Sequence, residues 1–387
     1  MHPMVKPALR RAWRDRQSVQ FGVTPDRAIV LGPIDTATGC LLDLLDGTRG
    51  LELLRQEARA LHLPEGQADE LVGRLSAAGL IDDASAGGPA AEALRKRASV
   101  VDRLRPDLAS LSLVHPEPGD GTAKLAARRA IRVQVRGAGR VGAMVAALLS
   151  AGGVGHVEVL DGGCVESWDL APGGFPAESA GERRDTAARR LVRRSAPAPP
   201  PRTRGAGGVG GAASSGTDGE AGISLIVVAP RDGFEAYVPD PSRAADWIAA
   251  GIPHLYTGVV ESTGVVGPLV LPGGTACSQC LALGRAERDP GWPRMLAQWR
   301  SGRRGATPAC DLALATTVAG LATAHALTFI DGDLPASTGT RWEASLPLLD
   351  WRSIRIGPHR DCSCGAGGHT EGECLSEAGS PHDTMAG

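Results

Sequence analysis

Hydrophobic residues in the first 83 positions follow patterns that predict a small α+β unit. Two short apolar runs, SVQFGV and AIVLG, flank the turn sequence TPDR and predict a β-hairpin. Leucine and alanine then recur every three or four residues over 36–46, 49–61 and 65–78, which predicts three amphipathic helices. The sequence GLIDD that follows predicts a short strand. We therefore expect a separate module over residues 18–83.

From residue 131 onwards, apolar strands alternate with helices. Residues 131–163 predict a strand, a glycine turn, a helix and a second strand. The run SLIVVAP, 224–230, predicts a buried strand, an alanine-rich helix follows over 241–250, and IPHLYTGV and VGPLVL predict two further strands. This alternation indicates an α/β domain of the Rossmann-like kind with a mainly parallel sheet.

A long apolar run at 312–330 is the one segment that could just span a bilayer. Its threonines and histidine, and the aspartates on both sides of it, favour a buried helix of a soluble domain instead. We therefore expect no membrane partner.

The remaining segments set the expected domain boundaries. Residues 1–17 are rich in arginine and predict a basic, mobile tail, and 84–130 predicts a connecting segment. The large domain is expected over 131–366. Proline, glycine, alanine and serine dominate 196–222, which predicts a disordered insertion because so little apolar surface is available there. Residues 367–387 predict a flexible C-terminal tail.

Composition and charge exclude nucleic acid as the expected partner. The chain has 387 residues, enough for two domains, and its formal net charge is −2. The order of elements in the N-terminal module resembles a winged helix, which often binds DNA. However, the third predicted helix carries Glu65, Asp69 and Glu70 against a single cation, Arg74, and contact with phosphate needs the opposite sign. A peptide-binding or packing module is the better interpretation.

The glycine-rich turn GAGRVG has the spacing of a nucleotide-binding loop. Gly137 would permit a tight turn, Gly139 a close approach of a phosphate, and Gly142 close packing of the helix on the strand. The helix N-terminus would offer N–H groups to an anion, and Asp161 at the end of the next strand could bind ribose hydroxyls. The alternative is a domain that keeps the turn for packing and binds no nucleotide.

Four of the eight cysteines form two close pairs, Cys277 with Cys280 and Cys362 with Cys364. Together they could supply four thiolates to one structural Zn²⁺, although His359, His369 or Cys374 could replace one of them. The alternative is a set of reduced cysteines without metal. The N-terminal sequence MHPMVKP lacks the apolar stretch of a signal peptide, so we expect a cytoplasmic protein.

The glycine turn, the segment GVVESTGVVGPLVLPGGTACSQCL and the late cysteine pair together resemble the E1-like superfamily, the ThiF, MoeB and HesA group, over about 131–366. The resemblance implies an enzyme that binds ATP with Mg²⁺ and adenylates the C-terminal carboxylate of a small ubiquitin-like carrier protein or peptide. It also implies a structural zinc and a homodimer.

Carried over residue by residue, the resemblance gives three sets of positions. The nucleotide-binding set is Gly137, Ala138, Gly139, Arg140, Gly142, Asp161 and Asp169. The zinc set is Cys277, Cys280, Cys362 and Cys364. The catalytic set is Arg184 in place of a family lysine, Asp232 in place of the aspartate of T-D-N, and Cys310 near a position where some relatives carry a covalent acceptor. A buried small residue is the more ordinary interpretation of Cys310.

The sequence departs from the family where phosphate chemistry takes place. The family pattern V-E-x-S-N-L-x-R-Q is VESWDLAPG here, so Asp169 replaces the asparagine and Pro172 replaces the arginine. Loss of one cation that stabilises the transition state commonly costs about 3 kcal/mol of barrier. Efficient adenylation therefore requires compensation by Arg136, Arg140 or Arg184.

Two further hypotheses follow. The N-terminal module is similar to the winged-helix elements that recognise leader peptides in ribosomal-peptide biosynthesis, so the chain could be a non-catalytic E1-like scaffold that binds a leader peptide. A Rossmann oxidoreductase is the third hypothesis. Such an enzyme needs an acid–base residue, and none is evident in the sequence. His254 and His325 both lie in apolar stretches where a packed histidine is expected.

Overall fold

The computed structural model describes residues 1–198, 222–301 and 307–366. The strands are β1 Pro3–Val5, β2 Arg11–Trp13, β3 Val19–Phe21, β4 Ile29–Leu31, β5 Ile81–Asp83, β6 Arg132–Arg136, β7 His156–Leu160, β8 Leu225–Val228, β9 His254–Val260, β10 Thr263–Val270, β11 Thr340–Ser345 and β12 Arg352–Arg355. Most of the predicted insertion, 199–221, and the predicted tail, 367–387, lie outside the described residues.

The described residues contain fourteen α-helices. They are α1 Thr36–Asp43, α2 Leu51–Ala60, α3 Gln67–Ala77, α4 Gly88–Arg95, α5 Ala98–Arg103, α6 Arg105–Val114, α7 Asp120–Ala127, α8 Arg140–Ala151, α9 Arg184–Ser195, α10 Phe234–Tyr237, α11 Pro241–Ala249, α12 Ser278–Arg288, α13 Trp292–Ser301 and α14 Leu312–Ile330.

A seven-stranded sheet forms the centre of the large domain, in the order β12-β11-β10-β9-β8-β6-β7. Strands β7, β6, β8 and β9 pair in parallel, and β10, β11 and β12 continue the sheet with antiparallel pairings. Valine side chains of β6 are buried because helices α8 and α14 cover the sheet, and these elements share the main hydrophobic core. The predicted α/β class with parallel strands around the glycine turn is confirmed.

The N-terminal 83 residues have their own hydrophobic core. Strands β3 and β4 form the predicted hairpin, β2 adds to its edge, and α1, α2 and α3 lie within the three predicted helical ranges. Leu54, Leu71 and Leu75 are fully buried between them. The sequence GLIDD contains β5 as expected, but β5 pairs with β1 rather than with the hairpin.

The mobile tail predicted for residues 1–17 is wrong in this structure, because the segment contributes β1 and β2. Lys6 between them is 1 % exposed, and its Nζ donates to the Ser112 carbonyl at 2.5 Å and to the Pro116 carbonyl at 3.2 Å. Burial lowers the pKa of Lys6. The basic composition concealed this tertiary contact, which joins the start of the chain to α6.

The segment predicted to connect the two domains, 84–130, is helical and contains α4, α5, α6 and α7. Their apolar side chains form a small core of their own, made of Leu94, Val100, Leu104, Leu111, Leu125 and Ala126. These residues are spaced by helical intervals among many charged ones, so the average polarity of the segment concealed the pattern.

Among the described residues, α14 is the one helix that is long and apolar enough to cross a membrane, by length and composition. Its face with Leu314, Val318 and Ala322 is fully buried, and the helix packs against α8, β9 and β10. This packing agrees with the predicted core helix.

Candidate functional site

The glycine turn between β6 and α8 requires glycine for steric reasons. Gly137 has a φ of +109°, and a Cβ at this position would lie 2.0 Å from the carbonyl oxygen of Ala229. A Cβ on Gly142 would lie 2.1 Å from the carbonyl oxygen of Gly137. The backbone therefore folds tightly at the start of α8, where the free N–H groups of a helix favour a bound anion.

Asp161 follows β7 and lies against the glycine turn. Its Oδ2 accepts a hydrogen bond from the Ala138 N–H at 2.6 Å, and its Oδ1 lies 3.4 Å from an Nη atom of Arg184. The structure thus brings Asp161, Ala138 and Arg184 together, as the sequence predicted. Through its hydrogen bond with the Ala138 N–H, Asp161 also stabilises the glycine turn, in addition to the predicted binding of ribose.

Arg184 begins α9 and is 7 % exposed. Its Nε donates to the Cys164 carbonyl at 2.9 Å and lies 3.8 Å from Oδ2 of Asp169. The guanidinium is therefore buried under the loop that follows β7, where it holds the backbone of Cys164 and lies beside Asp161. Its role as a catalytic cation stays a prediction.

Arg231, which the sequence analysis did not single out, lies directly on the glycine turn. A Cβ on Gly139 would lie 3.0 Å from Cγ of Arg231. The Arg231 Nε donates to Oδ1 of Asp169 at 2.8 Å, and its Nη2 donates to Oε2 of Glu166 at 2.8 Å. Burial opposes the charge of Arg231, but these two carboxylates outweigh it and raise its pKa.

In the sequence APRDG, the resemblance to the family predicts a role for the acid and none for the arginine before it. That acid, Asp232, accepts from the Phe234 N–H at 3.2 Å, close to the start of α10. Asp232 does not line the cleft beside the turn, whereas Arg231 does. No local sequence pattern marks Arg231, because its contact with Gly139 joins two segments that are distant in the chain.

A cleft of about 110 Å³ opens beside the N-terminus of α8; it is lined by Arg140, Trp168, Asp169, Arg231, Thr307, Pro308 and Cys310. Arg140 holds two of its walls together, since Nε donates to the Trp168 carbonyl at 2.6 Å and Nη1 to the Cys310 carbonyl at 2.7 Å. Burial raises the pKa of Cys310 to about 11, so its thiol is neutral near pH 7. This protonation state disfavours the predicted covalent role of Cys310.

The two cysteine pairs converge as predicted, although 82 positions separate Cys280 from Cys362. The Sγ atoms of Cys277 and Cys280 are 3.9 Å apart, and each lies 3.6 Å from a sulfur of the second pair. All four Sγ atoms lie within 4.8 Å of one another. A tetrahedral Zn²⁺ with Zn–S bonds of about 2.3 Å requires sulfurs about 3.8 Å apart, so the four thiols fit zinc.

The alternative ligands do not join this sulfur cluster within the described chain. Nε2 of His359 lies 3.1 Å from Oε1 of Glu287 instead, and His369 and Cys374 lie outside the described residues.

His254 and His325 are packed histidines, as their apolar surroundings predicted. His254 is fully buried, and burial lowers its pKa to about 4. Burial also lowers the pKa of His325. Neither histidine lines the cleft, so the oxidoreductase hypothesis gains no acid–base residue from them.

The model of the ThiF family matches residues 113–199 and 242–366, which is more than half of the chain. The chain belongs to the ThiF family. The two matched ranges contain the glycine turn, Asp161 and all four clustered cysteines, and the gap between them contains most of the predicted insertion, 196–222. A comparison with curated proteins finds no match.

Solved structures share the ThiF fold with this protein. E. coli MccB with succinimide has a TM-score of 0.65 at 14 % identity, covering 95 % of this chain and 100 % of that one. E. coli MccB with ATP has a TM-score of 0.62 at 14 % identity, covering 94 % and 99 %. PaaA has a TM-score of 0.60 at 17 % identity, covering 90 % and 98 %. At these identities the likeness shows the fold.

Opposite charges meet at the cleft. Glu166 and Asp169 supply negative charge from the loop after β7. The positive charge comes from Arg231 after β8.

Proposed function

We propose that this ThiF-family protein adenylates the C-terminal carboxylate of a peptide or small ubiquitin-like carrier protein. In this reaction a carboxylate oxygen attacks the α-phosphorus of ATP, an acyl–AMP anhydride forms, and pyrophosphate leaves. The observation that carries the proposal is the glycine turn at the start of α8, where Gly137 and Gly142 exclude any side chain and Asp161 lies against the turn.

The residues of the chain fit ATP by their chemistry. The glycine turn and the first N–H groups of α8 would bind phosphate oxygens, and Asp161 would accept hydrogen bonds from the ribose. Both oxygens of Asp169 already accept hydrogen bonds, from Arg231 and from the Glu166 N–H. Asp232 does not line the cleft, so the proposal assigns no Mg²⁺ ligand among the described residues.

Structures of the relative MccB support a peptide substrate. MccB has been solved with ATP and, separately, with AMPCPP and MccA together. By this likeness we assign the adenylation site of this protein a peptide or carrier partner, with the N-terminal winged-helix-like module as the element that binds it. A homodimer, a bound Zn²⁺ at the four cysteines and a cytoplasmic site of action complete the proposal.

ATP–pyrophosphate exchange tests the activity. Full-length protein should exchange labelled pyrophosphate into ATP when a suitable carrier or peptide with a free C-terminus is added. Gly139→Asp, which places a carboxylate where a phosphate would bind, should abolish the exchange, whereas Gly73→Ala on α3, where a Cβ has open space, should not. Exchange that persists in Gly139→Asp would place the activity elsewhere.

A second candidate function is a non-catalytic scaffold that binds a leader peptide. Two observations favour it: Pro172 occupies the position that the resemblance gives to an arginine, and Arg140, Arg184 and Arg231 are all bonded within the chain. Peptide binding at equal strength by wild type and Gly139→Asp, with no exchange by either, would establish the scaffold.

A further inference from the structure

We propose that Arg231 is the phosphate-binding cation of this protein and takes over from the arginine that Pro172 replaces. This inference rests on the proposed function, because it assigns a residue to the same nucleotide site. The position of Arg231 carries it: the aliphatic part of the side chain packs on Gly139, the second glycine of the turn. The guanidinium thus lies at the edge of the place where the turn and the α8 N-terminus favour an anion.

The other two arginines of the cleft are less suited to this role. Arg184 is 7 % exposed and lies behind Asp161, bonded to the Cys164 carbonyl. Arg140 joins two backbone segments through the Trp168 and Cys310 carbonyls, so a move towards a phosphate would break both links. Arg231 is more accessible than Arg184, with 26 % of its side chain exposed against 9 %.

The two carboxylates that hold Arg231 differ in a way that permits exchange for a phosphate. Asp169 is 2 % exposed and binds Nε, whereas the side chain of Glu166 is 40 % exposed and binds Nη2. An ion pair with an exposed partner contributes little and breaks easily, while a buried one is retained. An incoming phosphate can therefore displace Glu166 from Nη2 while Asp169 keeps the guanidinium anchored through Nε.

The charge balance of the site agrees with this exchange. The charged residues that line the described cleft are two guanidinium groups, Arg140 and Arg231, and one carboxylate, Asp169, so little net positive charge faces a triphosphate while Glu166 also pairs with Arg231. Release of Glu166 to solvent frees one positive charge without exposing Asp169. Glu166 therefore acts as a competitor for the phosphate, and its removal has the opposite effect from the removal of Arg231.

Calorimetric titration of full-length protein with ATP and Mg²⁺ tests the assignment. Arg231→Ala should weaken ATP binding by roughly 10- to 100-fold, the usual loss for a charged hydrogen-bond donor, and Arg231→Lys should recover part of it. Glu166→Gln should strengthen binding by roughly two- to five-fold. The pair Arg243 and Glu235, outside the cleft, provides matched controls: Arg243→Ala and Glu235→Gln should leave the affinity unchanged.

The opposite signs of the two effects make the outcome decisive. Unchanged or tighter binding by Arg231→Ala, with a melting temperature close to that of wild type, would overturn the assignment, as would weaker binding by Glu166→Gln. ATP binding that depends on Arg231 without pyrophosphate exchange would uphold Arg231 and reject the proposed activity. Exchange that is indifferent to Arg231 would uphold the activity and reject Arg231, and wild type that binds no ATP would reject both.

Discussion

His254 is enclosed at the start of β9 by aromatic rings. The ring centroids of Trp247 and Tyr256 lie 5.4 Å and 5.5 Å from that of His254, and Nδ1 of His254 is 3.1 Å from the Ile252 carbonyl oxygen. Such a site disfavours the charged imidazolium, which is why the pKa of His254 falls to about 4.

The low pKa of His254 predicts an acid-sensitive fold. Because the unfolded histidine has a pKa near 6.5, the unfolded state binds the extra proton below that pH, and stability is lost as the pH falls towards 4. Between pH 7 and pH 5 this residue should lower the free energy of unfolding by about 2 kcal/mol. In urea titrations, His254→Phe should show a correspondingly smaller pH dependence; an identical dependence would show that His254 is not responsible.

Gly142 and Gly320, both within helices, allow a comparison of a crowded glycine at the turn with an uncrowded one elsewhere. A Cβ on Gly142 would meet the Gly137 carbonyl oxygen at 2.1 Å, whereas a Cβ on Gly320 of α14 meets nothing within 4 Å. We expect Gly142→Ala to destabilise the protein by about 1–3 kcal/mol through overpacking, and Gly320→Ala to stabilise it by about 0.5–1 kcal/mol through helix propensity. Thermal unfolding of both variants checks this; equal effects would contradict the tight turn.

Helices α7 and α14 are joined by a buried ion pair where each ends. Arg128, just after α7, donates from Nε and Nη2 to the two carboxylate oxygens of Asp331 at 2.8 Å and 2.6 Å, and from Nη1 to the Gly152 carbonyl. Both side chains are 5 % exposed. The pair fixes the helical segment 84–130 to the core helix of the large domain.

Breaking this pair should therefore be costly. Asp331→Asn leaves the Arg128 charge buried without its counter-ion, and we expect a loss of about 3–5 kcal/mol in the free energy of unfolding. Asp69→Asn removes the partner of Arg55 in an exposed pair of similar geometry, and should cost less than about 1 kcal/mol. Comparable losses in the two variants, measured by denaturant titration, would rule out a buried structural pair.

The cysteine cluster links the end of the described chain to α12. Elemental analysis should find one zinc per chain, and the double variant Cys277→Ser/Cys280→Ser should lose it, because two of four ligands are removed. Cys40→Ser/Cys164→Ser, which alters two exposed cysteines outside the cluster, should retain the metal. A zinc-free wild type would leave the four cysteines as reduced thiols.

Local patterns account for the elements that the sequence predicted. Strand β8 is a continuous apolar run, and β6 alternates valine with polar residues. The helices α1 to α3 and α14 repeat apolar residues at helical intervals, so neighbouring residues alone specify these elements. The cysteine pairs were informative for a similar reason, since few chemistries use thiols at such short spacing.

Long-range contacts account for what the sequence did not predict. Strand β1 exists because it pairs with β5, and Lys6 is buried by carbonyl groups more than 100 positions away. Arg231 likewise acquires its place from Gly139, Glu166 and Asp169, on two other loops. No pattern within either segment indicates these partners.

The described chain combines an N-terminal module, a helical connection and a ThiF-family domain, and four cysteines join the end of that domain to α12. Asp161 lies against the glycine turn, and Arg231 contacts Gly139 of the turn and lines the cleft beside it. In the proposed function, the nucleotide binds within one domain and the N-terminal module binds the peptide chain. The proposed function therefore depends on AMP transfer to a peptide carboxylate.

The most direct test of that transfer is the labelling of peptides with ATP that carries radioactive α-phosphate. Full-length protein is incubated with candidate peptides that end either in a free carboxylate or in an amide, which cannot be adenylated. The account predicts label on the free-acid peptide alone, and none when Gly139→Asp replaces wild type. Absence of label on every free-acid peptide, from protein that binds those peptides, would contradict adenylation and leave the scaffold as the function.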